Sequence, residues 1–438
     1  MTPTPLMVEP LAAAPDATIT VPGSKSHTNR ALICAALAEG RSRLDGVLFA
    51  DDTWAMMNSL NALGLDLATD PEGASVEVTG CGGDVPAGPA ELDVVQSGTT
   101  GRFLLALLAL GPGPYLIDGH PQLRARPVGP LVDAIRRLGT TVVGESLPLR
   151  VEGPRMSGGH VVVPGNASSQ FLSGLLMSAP LAATTADDGA QPASGADGAP
   201  VLTIEVAGGE LVSRPYVELT LATMADFGVH VGLDGSRFLV PSARYRATDI
   251  AIEPDASAAT YFFAAAAITG GRVRITGLGT DTVQGDLGFV GLLQQMGATV
   301  SQGPDWTEVV GPQALQGIDV DMADMSDAAQ TLAIVATFAE TPTRVTGIGF
   351  IRHKETDRVT AVVTELQRRG IEASLDDDGF TVKPGRPQSG VVETYDDHRM
   401  AMSFALLGLR HPGIAIADPG CVAKTFPDYF SVLDRLRA

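Results

Sequence analysis

The start of the chain combines cations and hydroxyl groups in a way that suits an anionic ligand. Residues 22–31 read PGSKSHTNRA and lead directly into an apolar stretch, which Ser24 can cap as a helix. The first two turns contain Lys25, Ser26 and Arg30. A helix N-terminus already carries partial positive charge, so cations are favourable there only if a strongly anionic group docks beside them. The segment is therefore either a phosphate- or carboxylate-binding helix start or a capped core helix that begins with basic residues.

A second polar segment mixes carboxylates with cations. Residues 352–358 read RHKETDR and consist almost wholly of ionisable residues. Lys354 and Arg358 are four residues apart, so they share one face of a helix, with Glu355 beside them. A carboxylate among cations near a bound anion is a candidate proton-transfer group. On a surface helix, the same pattern would be a solvated charged face.

Polar residues also open other apolar stretches along the chain. Gly98 allows a ligand to approach the backbone closely, and Arg126 suits bidentate binding of a carboxylate or phosphate. Adjacent serines at a helix start usually serve as caps, but two serines followed by Gln170 exceed what capping requires. The remaining candidates, which open such a stretch or follow the next strand, are Ser168, Ser169, Ser213, Tyr216, Asp327, Arg399 and Lys424.

The helices that carry these residues recur at a regular interval. Ala- and Leu-rich stretches open with a Ser or Asp at intervals of 70–73 residues, apart from one interval of 87, at Ser24, Ser97, Ser168, Asp255, Asp327 and Asp397. The long interval contains residues 184–200, an acidic Ala/Gly/Pro-rich stretch that we interpret as an inserted surface loop. Each apolar helix is followed by a strand-like run and an amphipathic helix that ends at a glycine. Such repetition argues against a chain of unrelated α/β elements.

The repeat predicts an α/β protein with two domains of three units each. The first unit begins near residue 21 and the sixth ends on its amphipathic helix, so residues 1–20 can supply the missing strands. We expect one domain of residues 21–251 and a second of residues 1–20 with 252–438. A helix that is apolar all round should be buried all round. Six such helices would point their N-termini at a cleft between the domains and attract a multiply charged anion there.

The composition narrows the classes of ligand. The chain has 438 residues, is 45% hydrophobic and 18% charged, and carries a formal net charge of −20. Binders of nucleic acid or of anionic membranes need a broad basic field, so neither is expected. The sparse cysteines suit a reducing compartment, and no signal peptide or membrane span is apparent. No Cys-x-x-Cys or paired-His spacing indicates a metal site. We interpret His398 as a core histidine and Cys421 as structural.

Taken in order along the chain, the polar motifs resemble those of the 5-enolpyruvylshikimate-3-phosphate (EPSP) synthase family, the 3-phosphoshikimate 1-carboxyvinyltransferases. The resemblance covers essentially the whole chain. It implies a two-domain inside-out α/β barrel of six βαβαββ units, which agrees with the repeat. The matching segments are PGSKS-x-x-NRA at 22–31, SGTT-x-R at 97–102, RP at 126–127, SSQFLSGLLMSAPL at 168–181, SRPY at 213–216, DAA at 327–329, KETDR at 354–358, DDHRMAM at 396–402 and AKTFPDYF at 423–430.

The resemblance implies a transferase that moves the enolpyruvyl (carboxyvinyl) group of phosphoenolpyruvate to the 5-hydroxyl of shikimate 3-phosphate. The hydroxyl attacks C2 of phosphoenolpyruvate, and the tetrahedral intermediate then loses inorganic phosphate. The family acts in the shikimate pathway to chorismate and the aromatic amino acids, in the cytoplasm, without a metal or organic cofactor. We expect a monomer whose partners are these two small molecules.

Position by position, the resemblance implies two overlapping sets of substrate contacts and a small catalytic set. Asp327 would accept the proton of the 5-hydroxyl, Glu355 would handle the proton at the methylene carbon of phosphoenolpyruvate, and Lys25 would assist. The contacts to shikimate 3-phosphate would be Lys25, Ser26, Arg30, Ser168, Ser169, Gln170, Ser213, Tyr216, Asp327 and Lys354. The contacts to phosphoenolpyruvate would be Lys25, Gly98, Arg126, Gln170, Arg358, Arg399 and Lys424.

Three positions qualify what the resemblance implies. Gly98 is linked in the family to sensitivity to glyphosate, so we expect inhibition by that compound. Gln96 stands where many members have Asn, and Phe350 where several have a polar residue that touches the sugar acid. These two departures concern peripheral contacts and leave the chemistry unchanged.

Two other functions are alternatives. UDP-N-acetylglucosamine enolpyruvyl transferases are similar in fold but carry a loop cysteine before an RP-type segment, whereas residues 120–125 here read HPQLRA. A non-catalytic anion-binding repeat scaffold would explain the basic clusters. It would not explain why Asp327 and Glu355 lie among them.

Overall fold

The computed structural model describes residues 4–166, 168–183 and 201–437, so the predicted inserted loop at 184–200 lies outside the described residues. The α-helices are, in chain order, α1 (Lys25–Leu37), α2 (Asp51–Ala62), α3 (Gly98–Leu108), α4 (Pro121–Arg124), α5 (Gly129–Arg137), α6 (Ser169–Ser178), α7 (Arg214–Asp226), α8 (Ala256–Thr269), α9 (Phe289–Gln295), α10 (Ala329–Thr337), α11 (Arg358–Arg368), α12 (His398–Arg410) and α13 (Tyr429–Asp434). Short 3-10 helices span Ala179–Leu181, Gly285–Gly288, Ala323–Ala328, Gly349–His353, Pro419–Lys424 and Arg435–Arg437.

The strands alternate with these helices. They are β1 (Leu6–Val8), β2 (Asp16–Ile19), β3 (Glu39–Asp45), β4 (Asp66–Asp70), β5 (Ser75–Cys81), β6 (Ala90–Asp93), β7 (Tyr115–Asp118), β8 (Thr141–Val143), β9 (Leu149–Glu152), β10 (Gly159–Pro164), β11 (Leu202–Ala207), β12 (Gly232–Asp234), β13 (Arg237–Val240), β14 (Ile250–Ala251), β15 (Arg272–Thr276), β16 (Thr299–Gly303), β17 (Trp306–Val310), β18 (Asp319–Asp321), β19 (Thr343–Thr346), β20 (Ala373–Asp376), β21 (Gly379–Val382), β22 (Gly390–Val392) and β23 (Ile414–Ile416).

One strand order recurs in the sheets. In β6-β7-β9-β8, β6 runs parallel to β7, and β9 runs antiparallel to both β7 and β8. The sheets β10-β11-β13-β12, β14-β3-β5-β4, β18-β19-β21-β20 and β2-β15-β17-β16 share this order. In the second of the repeats the chain order is β6, α3, β7, α5, β8 and β9 (with the short α4 before α5), so one buried and one amphipathic helix accompany each sheet.

The two N-terminal strands pair with strands from the second half of the chain. β1 pairs antiparallel with β23 in the sheet β1-β23-β22, and β2 pairs parallel with β15. β14 pairs parallel with β3. The chain divides into two compact units, which we call unit N (Gly23–Ile252) and unit C (Met1–Pro22 with Glu253–Ala438).

Each unit has its own hydrophobic core around three helices. α1, α3 and α6 pack on one another in unit N, as do α8, α10 and α12 in unit C. α1 is buried on every side from His27 to Leu37, because apolar residues occupy all of its faces beyond the first turns. The amphipathic helices bury one face only. In α5, that buried face includes Leu131 and Ile135. No helix within the described residues is long and apolar enough to cross a membrane.

Most of the predicted helix openings carry an N-cap hydrogen bond. The caps are Ser24, Ser97, Ser168, Asp255 and Asp397. Asp327 differs, because a 3-10 turn over Ala323–Ala328 with a non-helical Met325 (φ −135°, ψ 38°) delays the start of α10 to Ala329. The Asp327 carboxylate therefore lies ahead of the cap position and is used for ion pairs.

Candidate functional site

In unit N, the predicted ligand residues lie at or next to helix N-termini. This follows from their positions in the repeat, where a polar residue ends a loop and a helix begins. The residues placed in this way are Lys25 and Ser26 in α1, Gly98 in α3, Ser168, Ser169 and Gln170 at α6, and Ser213 and Tyr216 at α7. The first turn of a helix presents backbone N–H groups without intrahelical partners, which favours anions nearby.

Lys25 has a carboxylate partner that sequence reasoning missed. Its Nζ lies 3.3 Å from Oδ2 of Asp52, a buried residue in the first turn of α2. The hydroxyl of Thr100 donates to the carbonyl of Asp52 at 3.1 Å, which connects α2 to the start of α3. Acidic residues are common in the first turn of helices, so the sequence offered no sign that Asp52 pairs with a lysine.

Gln170 is held in one orientation by two neighbours. Arg102 Nη1 donates to Oε1 of Gln170 at 2.5 Å, and Nε2 of Gln170 donates to the hydroxyl of Thr99 at 3.1 Å. Arg102 Nη2 donates to the carbonyl of Pro127 at 2.9 Å, directly after the predicted contact Arg126. Arg102 thus links Gln170 to the residue that follows Arg126. It lies inside a quoted motif, but no spacing rule singled it out.

Gly98 and Arg126 contact each other directly. A Cβ added at position 98 would lie 3.0 Å from Cζ and from both Nη atoms of Arg126, so the absent side chain lets the guanidinium lie against the start of α3. This arrangement puts a full positive charge at the positive end of a helix. It is favourable when an anion binds both the guanidinium and the helix N-terminus.

Arg30 is enclosed within unit N and is 1% exposed. Its Nε donates to the hydroxyl of Thr220 at 2.7 Å, and its Nη1 donates to the carbonyl of Ser26 at 2.9 Å. Its Nη2 donates to the hydroxyl of Ser173 and to the carbonyl of Tyr216 at 3.3 and 2.9 Å. These partners are uncharged, and burial lowers the pKa of Arg30 to about 10. The side chain faces these neighbours, so a direct contact from Arg30 to a ligand stays a prediction.

Ser213 has a left-handed backbone at the start of α7. Its φ is 54° and its ψ is 41°, and the residue is buried. Tyr216 N–H donates to the carbonyl of Ser213 at 3.1 Å and holds this turn. A non-glycine residue in this conformation costs about 1–3 kcal/mol and persists only where its surroundings require it, often at ligand sites.

In unit C, three predicted cations converge on Asp327. Lys354 Nζ and Arg358 Nη1 donate to its Oδ1 at 3.2 and 3.0 Å. Arg399 Nη2 donates to its Oδ2 at 2.8 Å. Arg358 Nη2 also donates to Oε2 of Glu355 at 2.7 Å. One guanidinium therefore joins the two carboxylates to which the family resemblance assigns proton transfer.

Asp397 holds Arg358 from its other side. Nε and Nη2 of Arg358 donate to Oδ2 and Oδ1 of Asp397 at 2.7 and 3.2 Å, and both residues are buried. The N–H of Arg399 donates to the same carboxylate at 2.9 Å. Burial lowers the pKa of Arg358, but Asp397, Glu355 and Asp327 together outweigh burial and raise it. The sequence indicated only a helix cap at Asp397, because a pair 39 residues apart has no periodic signal.

Three further residues of unit C that the sequence singled out, Lys424, Cys421 and His398, lie in α12 or in the 3-10 helix that packs against it. Lys424 ends the 3-10 helix that packs against α12, and it is buried. Burial raises the pKa of the Cys421 thiol to about 12, so this cysteine is not a ready nucleophile. His398 is 1% exposed, with Nδ1 3.6 Å from Oδ1 of Asp397. Both findings agree with the structural interpretation of these two residues.

Three kinds of comparison agree on one family. A family model described as EPSP synthase (3-phosphoshikimate 1-carboxyvinyltransferase) matches residues 12–433. The 3-phosphoshikimate 1-carboxyvinyltransferase of Nostoc sp. is 47% identical over 422 residues, which is 95% of each chain. That of Nitrosomonas europaea is 44% identical over 424 residues, 94% of each chain. The solved EPSP synthase structure from Acinetobacter baumannii matches with a TM-score of 0.78 at 26% identity and covers 99% of this chain and 97% of that chain. The predicted family and the predicted two-domain α/β fold class are confirmed.

Proposed function

This chain belongs to the EPSP synthase family, and from that premise we propose that it transfers the enolpyruvyl group of phosphoenolpyruvate to the 5-hydroxyl of shikimate 3-phosphate and releases phosphate. The observation that carries the proposal is the convergence of Lys354, Arg358 and Arg399 on Asp327, with Glu355 on the same guanidinium as Asp327. Two anionic substrates need cations, and addition to a double bond needs groups that take and give protons. One network contains both.

The proton-transfer groups divide the reaction between them. Asp327 accepts the proton of the 5-hydroxyl as its oxygen attacks C2 of phosphoenolpyruvate, and Glu355 delivers a proton to the methylene carbon. The bond from C2 to the phosphate oxygen then breaks, and the proton taken from the 5-hydroxyl leaves with the phosphate. Glu355 takes a proton back from the new methyl group, which restores the double bond. One proton is added and one is removed at that carbon, so the products are an enolpyruvyl ether and inorganic phosphate. Lys25 assists these transfers.

The ion pairs of Asp327 suggest how substrate binding prepares the base. The same N–H groups that now contact Asp327 are those that would bind the carboxylate and phosphate of the substrates. An incoming anion competes with Asp327 for Lys354, Arg358 and Arg399. Each contact that moves to the substrate leaves an oxygen of Asp327 available for the 5-hydroxyl. Binding and proton acceptance are therefore coupled through shared cations.

Unit N supplies the rest of the proposed contacts. Its hydroxyl groups and Gln170 bind shikimate 3-phosphate, and Lys25, Gly98 and Arg126 bind phosphoenolpyruvate together with Arg358, Arg399 and Lys424 of unit C. The proposal requires both units to act on the same pair of substrates, and a cleft between them stays a prediction. Cytoplasmic location, a monomeric state and glyphosate inhibition also stay predictions.

The test is to identify the product. The purified chain is incubated with phosphoenolpyruvate and either shikimate 3-phosphate or UDP-N-acetylglucosamine, and proton NMR follows the vinyl signals. We expect a new enolpyruvyl ether when the second substrate is shikimate 3-phosphate, and none when it is UDP-N-acetylglucosamine. Product with UDP-N-acetylglucosamine would support the rival transferase. Binding of both anions without any product would support a non-catalytic scaffold.

A further inference from the structure

A strained turn leads into the helix that carries Arg399. Residues 393–397 join β22 to α12, and within them Tyr395 and Asp396 have φ values of 56° and 55°. Two consecutive non-glycine residues with left-handed backbones are costly and persist only where other contacts hold them. Asp397 N–H donates to the carbonyl of Thr394 at 2.9 Å, which closes the turn but does not attach it to the rest of unit C.

The attachment comes from Glu365 on α11. The hydroxyl of Tyr395 donates to Oε1 of Glu365 at 2.8 Å, and the backbone N–H of Glu393 donates to Oε2 at 3.2 Å. Glu365 is 0% exposed, and Arg368 Nη1 donates to its Oε1 at 2.7 Å. A buried carboxylate is stable only when its oxygens accept hydrogen bonds, and here most of them come from the turn.

Two residues of α11 therefore hydrogen-bond to the turn. Arg358, the first residue of the helix, holds Asp397, and Glu365, about two helical turns later, holds Glu393 and Tyr395. Glu365 thus fixes the backbone that sets where Arg399 starts. Burial and then Glu365 raise the pKa of Tyr395 to about 12, so its hydroxyl keeps the proton that it donates.

We infer that Glu365, acting through Tyr395, is a positioning residue that places Arg399 for phosphoenolpyruvate. This inference rests on the proposed function for its substrate. Arg399 reaches Asp327 at 2.8 Å from the first turn of α12, so a shift of the turn moves the guanidinium relative to that carboxylate. Lys354 donates to the other oxygen of Asp327, Oδ1, and belongs to the segment before α11, which is not part of the turn.

The corresponding turn of unit N is held by different contacts. Val95 precedes the cap Ser97 as Tyr395 precedes Asp397, and its φ is 49°. Its carbonyl accepts from His120 N–H at 2.7 Å, and its N–H donates to Oδ1 of Asp93 at 2.9 Å. The Ser59 hydroxyl of α2 also donates to the carbonyl of Asp93 at 3.4 Å, so backbone and hydroxyl groups hold this turn. In unit C, the buried carboxylate of Glu365 holds the turn, and the helix that follows the turn carries Arg399, which contacts Asp327.

The test removes one hydroxyl at a time. In Tyr395→Phe, we expect the KM for phosphoenolpyruvate to rise about five- to tenfold while the KM for shikimate 3-phosphate stays within about twofold. Glu365→Gln should do the same. The control Tyr115→Phe removes a buried hydroxyl that donates to the carbonyl of Pro86 at 2.7 Å in unit N, and it should leave both KM values unchanged.

Hydrogen exchange provides a readout that does not need turnover. The backbone amides of residues 393–399 should exchange about tenfold faster in Tyr395→Phe than in the parent or in Tyr115→Phe. The inference is overturned if both KM values rise alike in Tyr395→Phe, or if exchange in this segment is unchanged. If the parent itself forms no product, the proposed function fails, and unchanged exchange would still overturn the positioning role separately.

Discussion

The two units each bury an arginine completely, but they surround its charge with opposite kinds of partner. Arg358 in unit C contacts the carboxylates of Asp397, Glu355 and Asp327, and its pKa is raised. Arg30 in unit N contacts hydroxyl and carbonyl oxygens, and its pKa is lowered to about 10. A buried cation with carboxylate partners is stable without a ligand. A buried cation with neutral partners still gains from a nearby anion.

This difference explains how one acidic chain could bind phosphoenolpyruvate and shikimate 3-phosphate in different ways. In unit C the cations around Asp327 are already paired with carboxylates before substrate arrives, so an anion must displace Asp327 from Lys354, Arg358 and Arg399. Unit N offers helix N-termini, hydroxyl groups and cations that have fewer carboxylate partners than those around Asp327, so an anion that binds there adds contacts. The first arrangement suits the reacting groups of the transfer, and the second suits the binding of a phosphate that does not react.

The largest expected effect comes from the carboxylate that three cations share. Asp327→Asn removes the proton acceptor, so kcat should fall about 10³-fold. Because Asn no longer competes for the cations, phosphoenolpyruvate should bind the complex with shikimate 3-phosphate more tightly. Rapid-quench kinetics and calorimetric titration measure the two effects. The matched control Asp324→Asn, at an exposed position of the same 3-10 turn, should change neither.

Weaker binding of phosphoenolpyruvate in Asp327→Asn would contradict the idea that substrate and base share cations. A loss of kcat below about tenfold would contradict its role as the proton acceptor.

The next effect compares the two arginines directly. Arg358→Gln leaves the buried carboxylate of Asp397 without its cation and should lower the free energy of unfolding by about 3–5 kcal/mol. Arg30→Gln leaves only neutral partners and should cost about 1 kcal/mol. Urea denaturation of the two variants side by side measures the order. Equal losses, or a larger loss for Arg30→Gln, would remove the distinction between the units.

A pH dependence sharpens the account of unit N. Burial, and then Arg30, lower the pKa of His27 from its usual 6.5 to about 4. Between these values the unfolded chain binds a proton that the folded chain does not, so stability falls as the pH drops from 7 to 5, by about 2 kcal/mol for this group. His27→Asn should flatten this part of the stability profile. Parallel profiles for parent and variant would show that His27 is not held neutral.

The smallest expected effect concerns the contact between Gly98 and Arg126. In Gly98→Ala, the new Cβ would press on the guanidinium at 3.0 Å, so the KM for phosphoenolpyruvate should rise about tenfold with little change for shikimate 3-phosphate. The control Gly101→Ala lies in the same helix, where a Cβ would meet only Val94 Cγ2 at 3.3 Å, and it should leave steady-state kinetics unchanged. An equal rise in both variants would point to a general disturbance of α3.

Local patterns predicted the helix starts well, because a cap is recognised by its own residue type. Ser24, Ser97 and Asp397 cap as expected, whereas the kink at Met325 moves the start of α10 past Asp327. A single backbone deviation of this kind has no periodic signature. The two-domain α/β fold could also be predicted, because the same pattern of cap, apolar helix, strand and amphipathic helix recurs along the chain.

Side-chain pairing over long distances could not be predicted. Asp52 and Asp397 have ordinary positions in a first turn and at a cap, and only the fold brings them to Lys25 and Arg358. Likewise, the inward orientation of Arg30 depends on hydroxyl groups that lie 143 and 190 residues away along the chain. Spacing along one helix carries no information about such partners.

The most direct test of the central claim is the release of inorganic phosphate from phosphoenolpyruvate, measured with and without shikimate 3-phosphate. The account predicts rapid release only when shikimate 3-phosphate is present, because its 5-hydroxyl must add to C2 before the phosphate can leave. Release at the same rate without shikimate 3-phosphate, or no release with both substrates, would contradict it.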